Sequence, residues 1–146
     1  MSGLSDFLNP ILPEEQEVYI SDRFVQHDEK GNVVKGPDGK PLLRAFRVRA
    51  LTQAENDEIT KRATRTTTVK GQKVSQLDSL DYGRRLVVAA TVEPDFSNSA
   101  LCQHFETLDP LEVPGRMLLS GEYNKLVDAI TTLSGFGDNV EDEAKN

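Results

Sequence analysis

Residues 120–136 read SGEYNKLVDAITTLSGF. Tyr123, Leu126, Val127, Ile130 and Leu133 recur at the spacing that lines up one stripe of an α-helix, while Asn124, Lys125, Asp128, Thr131 and Thr132 fall opposite. Ser120 stands where a cap belongs. Gly135 occupies the position after the helix where a left-handed residue is wanted, and Phe136 is placed to fold back on Ile130 as the apolar contact of a Schellman ending. This helix is built to dock. Its stripe is assigned to the core of its own domain in preference to a groove for a partner.

Upstream, Asp109-Pro110 and Val113-Pro114 both look like helix starts, since proline is tolerated in a first turn. Asp95 or Ser97 opens a short helix carrying Ala100, Leu101 and Phe105. Glu93-Pro94 ends the helix before it, because the residue preceding proline is pushed away from α geometry. That helix begins at Asp78 or Ser79, with Leu77, Leu80, Leu86, Val87, Ala90 and Thr91 as a loose apolar face. Gly83 inside it costs about 1 kcal/mol relative to alanine, so a close contact with a neighbouring element would be a reason to keep it. Further back, Thr52 and Glu55 form a capping box. It opens a helix that runs to about Arg62, carries few apolar residues and is expected on the surface.

Before these helices the period changes to two. Residues 17–25 alternate Val18, Ile20 and Phe24 with Tyr19, Ser21 and Arg23; residues 42–50 alternate Phe46 and Val48 with Arg47 and Arg49. Gly31-Asn32 and Pro37-Asp38-Gly39 are turn signals between them, and Val33-Val34 can add a short third strand. The fold class is therefore α+β: an N-terminal antiparallel β-hairpin or small meander followed by a bundle of four to five short α-helices. The expected organisation is a single domain over 1–136, with an apolar arm at 1–16, the hairpin at 17–50 and the helical part at 51–136. Residues 137–146, GDNVEDEAKN, read as a disordered acidic tail.

Two segments invite a partner. The arm places Leu4, Phe7, Leu8, Ile11 and Leu12 at helical spacing, cut short by Pro10 and Pro13. Packing on its own domain is the favoured reading, because most apolar stripes join a core; the other is an apolar segment offered to a partner or second subunit. The basic loop at 61–76 holds Lys61, Arg62, Arg65, Lys70 and Lys73 with no acid between Glu58 and Asp78. Threonines favour β structure there, Gly71 breaks any regular element, and no aromatic stacking platform or glycine-rich phosphate cradle accompanies the charge. It reads as a solvated, mobile loop. Should the chain hold a partner, the residues assigned to it are Phe7, Leu8 and Ile11, joined by Arg65 and Lys70.

Composition narrows the function classes. The chain has 146 residues and a net charge of −7, which argues against general affinity for nucleic acid or anionic membrane. The lone Cys102 excludes an intramolecular disulfide and fits a reducing compartment, and no apolar run reaches the length of a membrane span. Cys102 and His104 have no second pair to complete a zinc site, and residues two apart on a helix point about 200° from each other, which also disqualifies a nucleophile pair. No phosphate loop, dinucleotide fingerprint or nucleophile elbow is present, so no catalytic residue, cofactor site or metal ligand is assigned. The expectation is a non-enzymatic protein.

Taken in order, the N-terminal DFLNPIL, the strand with Arg23-Phe24, ALTQAENDEI, TVEPDFSNSAL and LLSGEYNKLVDAITTLSGF resemble the XkdN-like family of phage tail assembly chaperones, found in prophages and defective phage particles of Gram-positive bacteria. The most specific features are Glu93-Pro94-Asp95-Phe96, and Gly121-Glu122-Tyr123 followed by Leu126 and Ser134-Gly135-Phe136. They are structural motifs and mark no active site. The resemblance implies a host-cytoplasmic protein of virion morphogenesis that binds the tape measure protein and keeps it soluble until the tail tube polymerises around it. Such a protein is then left out of the mature particle. It also implies, as further partners, the tail tube protein and a frameshift-extended form of the chain itself; a homo-oligomer stays open. The alternative is a structural tail tube or baseplate accessory protein retained in the virion. A regulatory nucleic-acid binder using the basic loop is a third reading.

Overall fold

The computed structural model describes residues 3–136; the acidic tail assigned to 137–146 lies outside the described residues. The elements in order are α1 (Ser5–Leu8), β1 (Gln16–Val18), β2 (Phe46–Val48), α2 (Gln53–Ala63), β3 (Thr64–Val69), β4 (Gln72–Leu77), α3 (Ser79–Ala90), β5 (Thr91–Glu93), α4 (Ser99–His104), a 3₁₀ turn (Pro110–Glu112), α5 (Val113–Met117) and α6 (Ser120–Leu133). The α+β expectation holds, with antiparallel strands first and helices after.

β1 pairs antiparallel with β2, Gln16 opposite Val48 and Val18 opposite Phe46. The alternation read from sequence is the burial observed: Ile20, Phe46 and Val48 are buried while Tyr19 stays out. Between the strands the chain makes a closed cycle of hydrogen bonds. Gln26 donates to Leu42, Leu42 to Val34 and Val34 back to Gln26, at 2.8–2.9 Å. Gly31 and Gly39, at φ of +83° and +79°, turn the corners, and the Asp28 carboxylate receives the amides of Lys30 and Asn32. Val33-Val34 thus joins the ladder as expected, through single bridges rather than a full strand.

β5 was not foreseen. The helix expected to run into Glu93-Pro94 ends at Ala90, and Thr91–Glu93 becomes the third strand, pairing antiparallel with β2 to give the order β1-β2-β5. A short strand that leaves a helix with no intervening turn residue carries no periodicity of its own. The second difference is larger. The segment expected as a mobile basic loop is the β3–β4 hairpin, in register from Thr64 opposite Leu77 to Val69 opposite Gln72. Gly71 does not break it. Lys70 and Gly71, at φ of +52° and +78°, make the two-residue turn that such a hairpin requires.

The capping box at Thr52 and Glu55 forms as expected, and Arg49 then grips the Glu55 carboxylate at 2.6 and 3.1 Å. α2 is less superficial than its sequence implied, since Ile59 and Ala63 are buried and it packs along α3. Asp78 caps α3. Asn98, rather than Asp95 or Ser97, caps α4, receiving the amides of Ala100 and Leu101. Both proline starts are used: Asp109 and Pro110 open the 3₁₀ turn, and Pro114 lies in the first turn of α5. Ser120 is the first residue of α6 rather than its cap. The preceding extended residue is Leu119, whose amide donates to the Glu122 carboxylate at 2.7 Å.

α6 ends as its sequence dictates. Gly135, at φ +102°, donates to the Thr132 carbonyl and Phe136 to that of Thr131, the two bonds of a Schellman motif. Phe136 itself remains 62% exposed, at the edge of a cleft with Leu51, Asn56 and Tyr82, and does not become part of the buried cluster. Leu126 and Ile130 are fully buried; Tyr123, Val127 and Leu133 pack half-buried around them. The core joins these to Ile20, Phe46 and Val48 from the sheet, Leu86, Val87 and Ala90 from α3, and Phe96 and Val113. Truncating any one of its large side chains to alanine should destabilise by roughly 2–5 kcal/mol.

Candidate functional site

Of the five residues assigned to a partner, three lie on the N-terminal arm. α1 is a single turn held by bonds from Asp6 to Gly3 and Phe7 to Leu4, and it buries nothing. Phe7, Leu8, Ile11 and Leu12 are 78%, 64%, 98% and 73% exposed. The favoured reading, an arm packed on its own domain, is therefore overturned. Pro10 and Pro13 deny the segment both a longer helix and a ladder of amide donors, while α3 and α6 already seal the core without it. What remains is an exposed apolar segment, the kind of surface that marks an interaction site.

Arg65 and Lys70 do not form one basic site. Arg65, near the hairpin base, donates to the Asp81 carboxylate at 2.9 Å and to the Arg62 carbonyl at 2.8 Å. Asp81 also receives Arg85 at 2.9 Å, and the two guanidiniums hold its carboxyl below the usual range. Arg65 thus fastens the hairpin to α3 instead of waiting for an acidic ligand. Lys70 is at the tip, five residues along the strand and so about 17 Å away. Arg62 is spoken for as well, by Glu58 at 3.0 Å.

The ion pair between Arg23 and Glu122 was not anticipated. Arg23 clasps Glu122 with two bonds, at 2.7 and 2.8 Å, and reaches the Met117 carbonyl at 3.0 Å. Glu122 is buried, and hydrogen bonding from Arg23 outweighs desolvation to hold its pKa at about 2. The Arg49 contact does the same for Glu55, also at about 2. These are structural clasps, one tying the N-terminal strand region to α6 and the other stapling the start of α2.

Sequence reading also missed a groove of about 550 Å³ between α3, α5 and α6, lined by Leu80, Leu86, Leu118, Tyr123 and Val127 with Arg84 at its margin. The signal was present in Gly83. A Cβ there would come within 2.9 Å of the Tyr123 hydroxyl, so the glycine is what lets α6 approach α3. Burial pushes the Tyr123 phenol up, with Arg84 opposing. Elsewhere, the Cys102 thiol is buried and donates to the Phe96 carbonyl at 3.4 Å, while His104 lies exposed, edge-on to Phe105. Among the described residues no three His, Cys, Asp or Glu side chains gather as metal ligands, and no helix is long and apolar enough to cross a membrane. Among the described residues, this groove and the arm are exposed apolar surfaces.

The chain has recognisable relatives among known proteins. The model of the phage XkdN-like tail assembly chaperone family matches residues 4–145. The chain is 37% identical over 141 residues to the phage-like element PBSX protein XkdN of Bacillus subtilis (strain 168), covering 93% of this chain and 87% of that one. It is 38% identical over 134 residues to YqbN of the same organism, covering 90% and 82%. A crystal structure of YqbN superposes with a TM-score of 0.69 at 34% identity, over 93% of this chain and 98% of that one. The chain belongs to the XkdN-like family of phage tail assembly chaperones.

Proposed function

We propose that this chaperone binds the tape measure protein in the host cytoplasm and keeps it soluble until tail tube subunits polymerise around it. It then departs and is absent from the finished particle. The observation that carries the reading is the arm: a family of chaperones here presents Phe7, Leu8, Ile11 and Leu12 to solvent, on a segment the core does not need. A client that must later be surrendered is best held by dispersed apolar contacts of moderate strength. Micromolar affinity corresponds to about −8 kcal/mol, within reach of a few buried side chains. The net charge of −7 would keep a complex with exposed apolar surface from associating further.

The test is co-expression with the neighbouring tape measure protein, read by pull-down and by the soluble fraction. Removing residues 1–12 should abolish solubilisation while leaving the thermal midpoint within a few degrees, because nothing on α1 is buried. Full solubilisation without the arm would defeat the assignment. Mass spectrometry of purified particles separates a chaperone from a tail tube or baseplate component: abundant copies in finished tails would favour the latter.

A further inference from the structure

We infer that, before any client arrives, the N-terminal arm of one copy docks in the α3–α5–α6 groove of a second copy, and that the exchange is reciprocal. The arm and the groove complement each other in three respects. The arm has four large apolar side chains in the open, and the groove is an apolar trough of about 550 Å³ on the same molecule. Leu80, at the groove's edge, is itself 73% exposed, so the trough continues outward as an uncovered apolar strip. The charges also match. Arg84 is the one charged residue lining the groove, and no carboxylate among the described residues pairs with it. Residues 1–15 carry Asp6, Glu14 and Glu15 and neither lysine nor arginine.

The occupant is a second copy rather than the chain's own arm, since within one chain the arm buries nothing and none of its residues lines the groove, while Pro10 and Pro13 bar a longer helix there. Two arms exchanged in this way bury eight large apolar side chains with their lining. That approaches the roughly 1,200 Å² at which specific interfaces begin. An entering arm places Asp6 against Arg84 and Phe7 and Ile11 against Leu118, Tyr123 and Val127. The exchange concerns the chain alone and holds whichever client it serves.

Sedimentation of the purified full-length chain tests it. A monomer–dimer equilibrium is expected, with Kd on the order of micromolar. Deleting residues 1–12 should leave a monomer whose thermal midpoint, at protein concentrations near that Kd, stays within a few degrees. Leu80→Glu, on an exposed position that folding does not need, should do the same. Asp6→Arg and Arg84→Glu should each weaken the dimer by roughly tenfold, because two attractions per dimer become repulsions. Mixing those two variants should restore the native Kd, since every arm then meets a groove of opposite charge. Only exchange between copies predicts rescue by mixing. A chain that stays monomeric at about a hundred times that concentration would overturn the inference. So would a dimer indifferent to arm deletion, loss on arm deletion without loss in Leu80→Glu, or rescue only in the doubly substituted chain, which would mean that each arm folds onto its own groove.

Discussion

Glu122 shows how much a single residue can hold that its own neighbourhood in sequence does not reveal. The tripeptide Gly121-Glu122-Tyr123 was legible as a motif, and a glutamate three positions into a helix is a recognisable cap. Its partner Arg23 is 99 residues away, and a lone sequence carries no signal of that pairing. The pKa of Glu122 falls from an ordinary 4.5 to about 2, so the pair contributes stability that is present above pH 4.5 and is lost as pH falls toward 2. Glu122→Gln should destabilise by about 1–3 kcal/mol at neutral pH and flatten the acid limb of the thermal midpoint, measured by circular dichroism from pH 7 to pH 2. Gly83 was legible in the other direction, as a residue that helix propensity alone would reject. Its reason is the Tyr123 hydroxyl. In a Tyr123→Phe background, Gly83→Ala should gain close to the ~1 kcal/mol of alanine's propensity; with the hydroxyl present the gain should vanish or change sign, a difference a double-mutant cycle measures.

Elements were legible where one face of a regular structure is apolar. α6, α3 and the paired strands around Val18 and Phe46 each combine a clear period with a start or stop signal. The β3–β4 hairpin was not, because all but its first residue are exposed and its few apolar residues, Val69, Val74 and Leu77, follow no alternation. The threonines and the Lys70-Gly71 turn were the only clues. An isolated two-stranded hairpin is marginal in water, so this one depends on its base, where Asp78 donates to the Ala63 carbonyl at 2.8 Å and Arg65 meets Asp81. The base and the tip are therefore separable. Replacing Thr66 to Ser75 with a short Gly-Ser turn should leave the thermal midpoint within a few degrees, whereas Asp81→Ala, which strands two arginines, should lower it.

At the scale of the whole molecule, composition and pattern were enough for the fold class, while the arm was misjudged. The sequence shows that a segment is apolar; whether a core has room for it is settled by every other residue at once. Here α3, α6 and the sheet close on each other first. The same closure has a consequence for synthesis on the ribosome. Ile20, Phe46 and Val48 emerge early, yet the side chains that cover them, Leu126 and Ile130, and the carboxylate that Arg23 needs, come from the last described helix. Until residue 130 has been made, the nascent chain carries uncovered strands and must be kept from aggregating. A fragment ending at Leu118 is accordingly expected to show no cooperative melt in calorimetry, and this small chaperone is one that in its own infancy needs shelter from others.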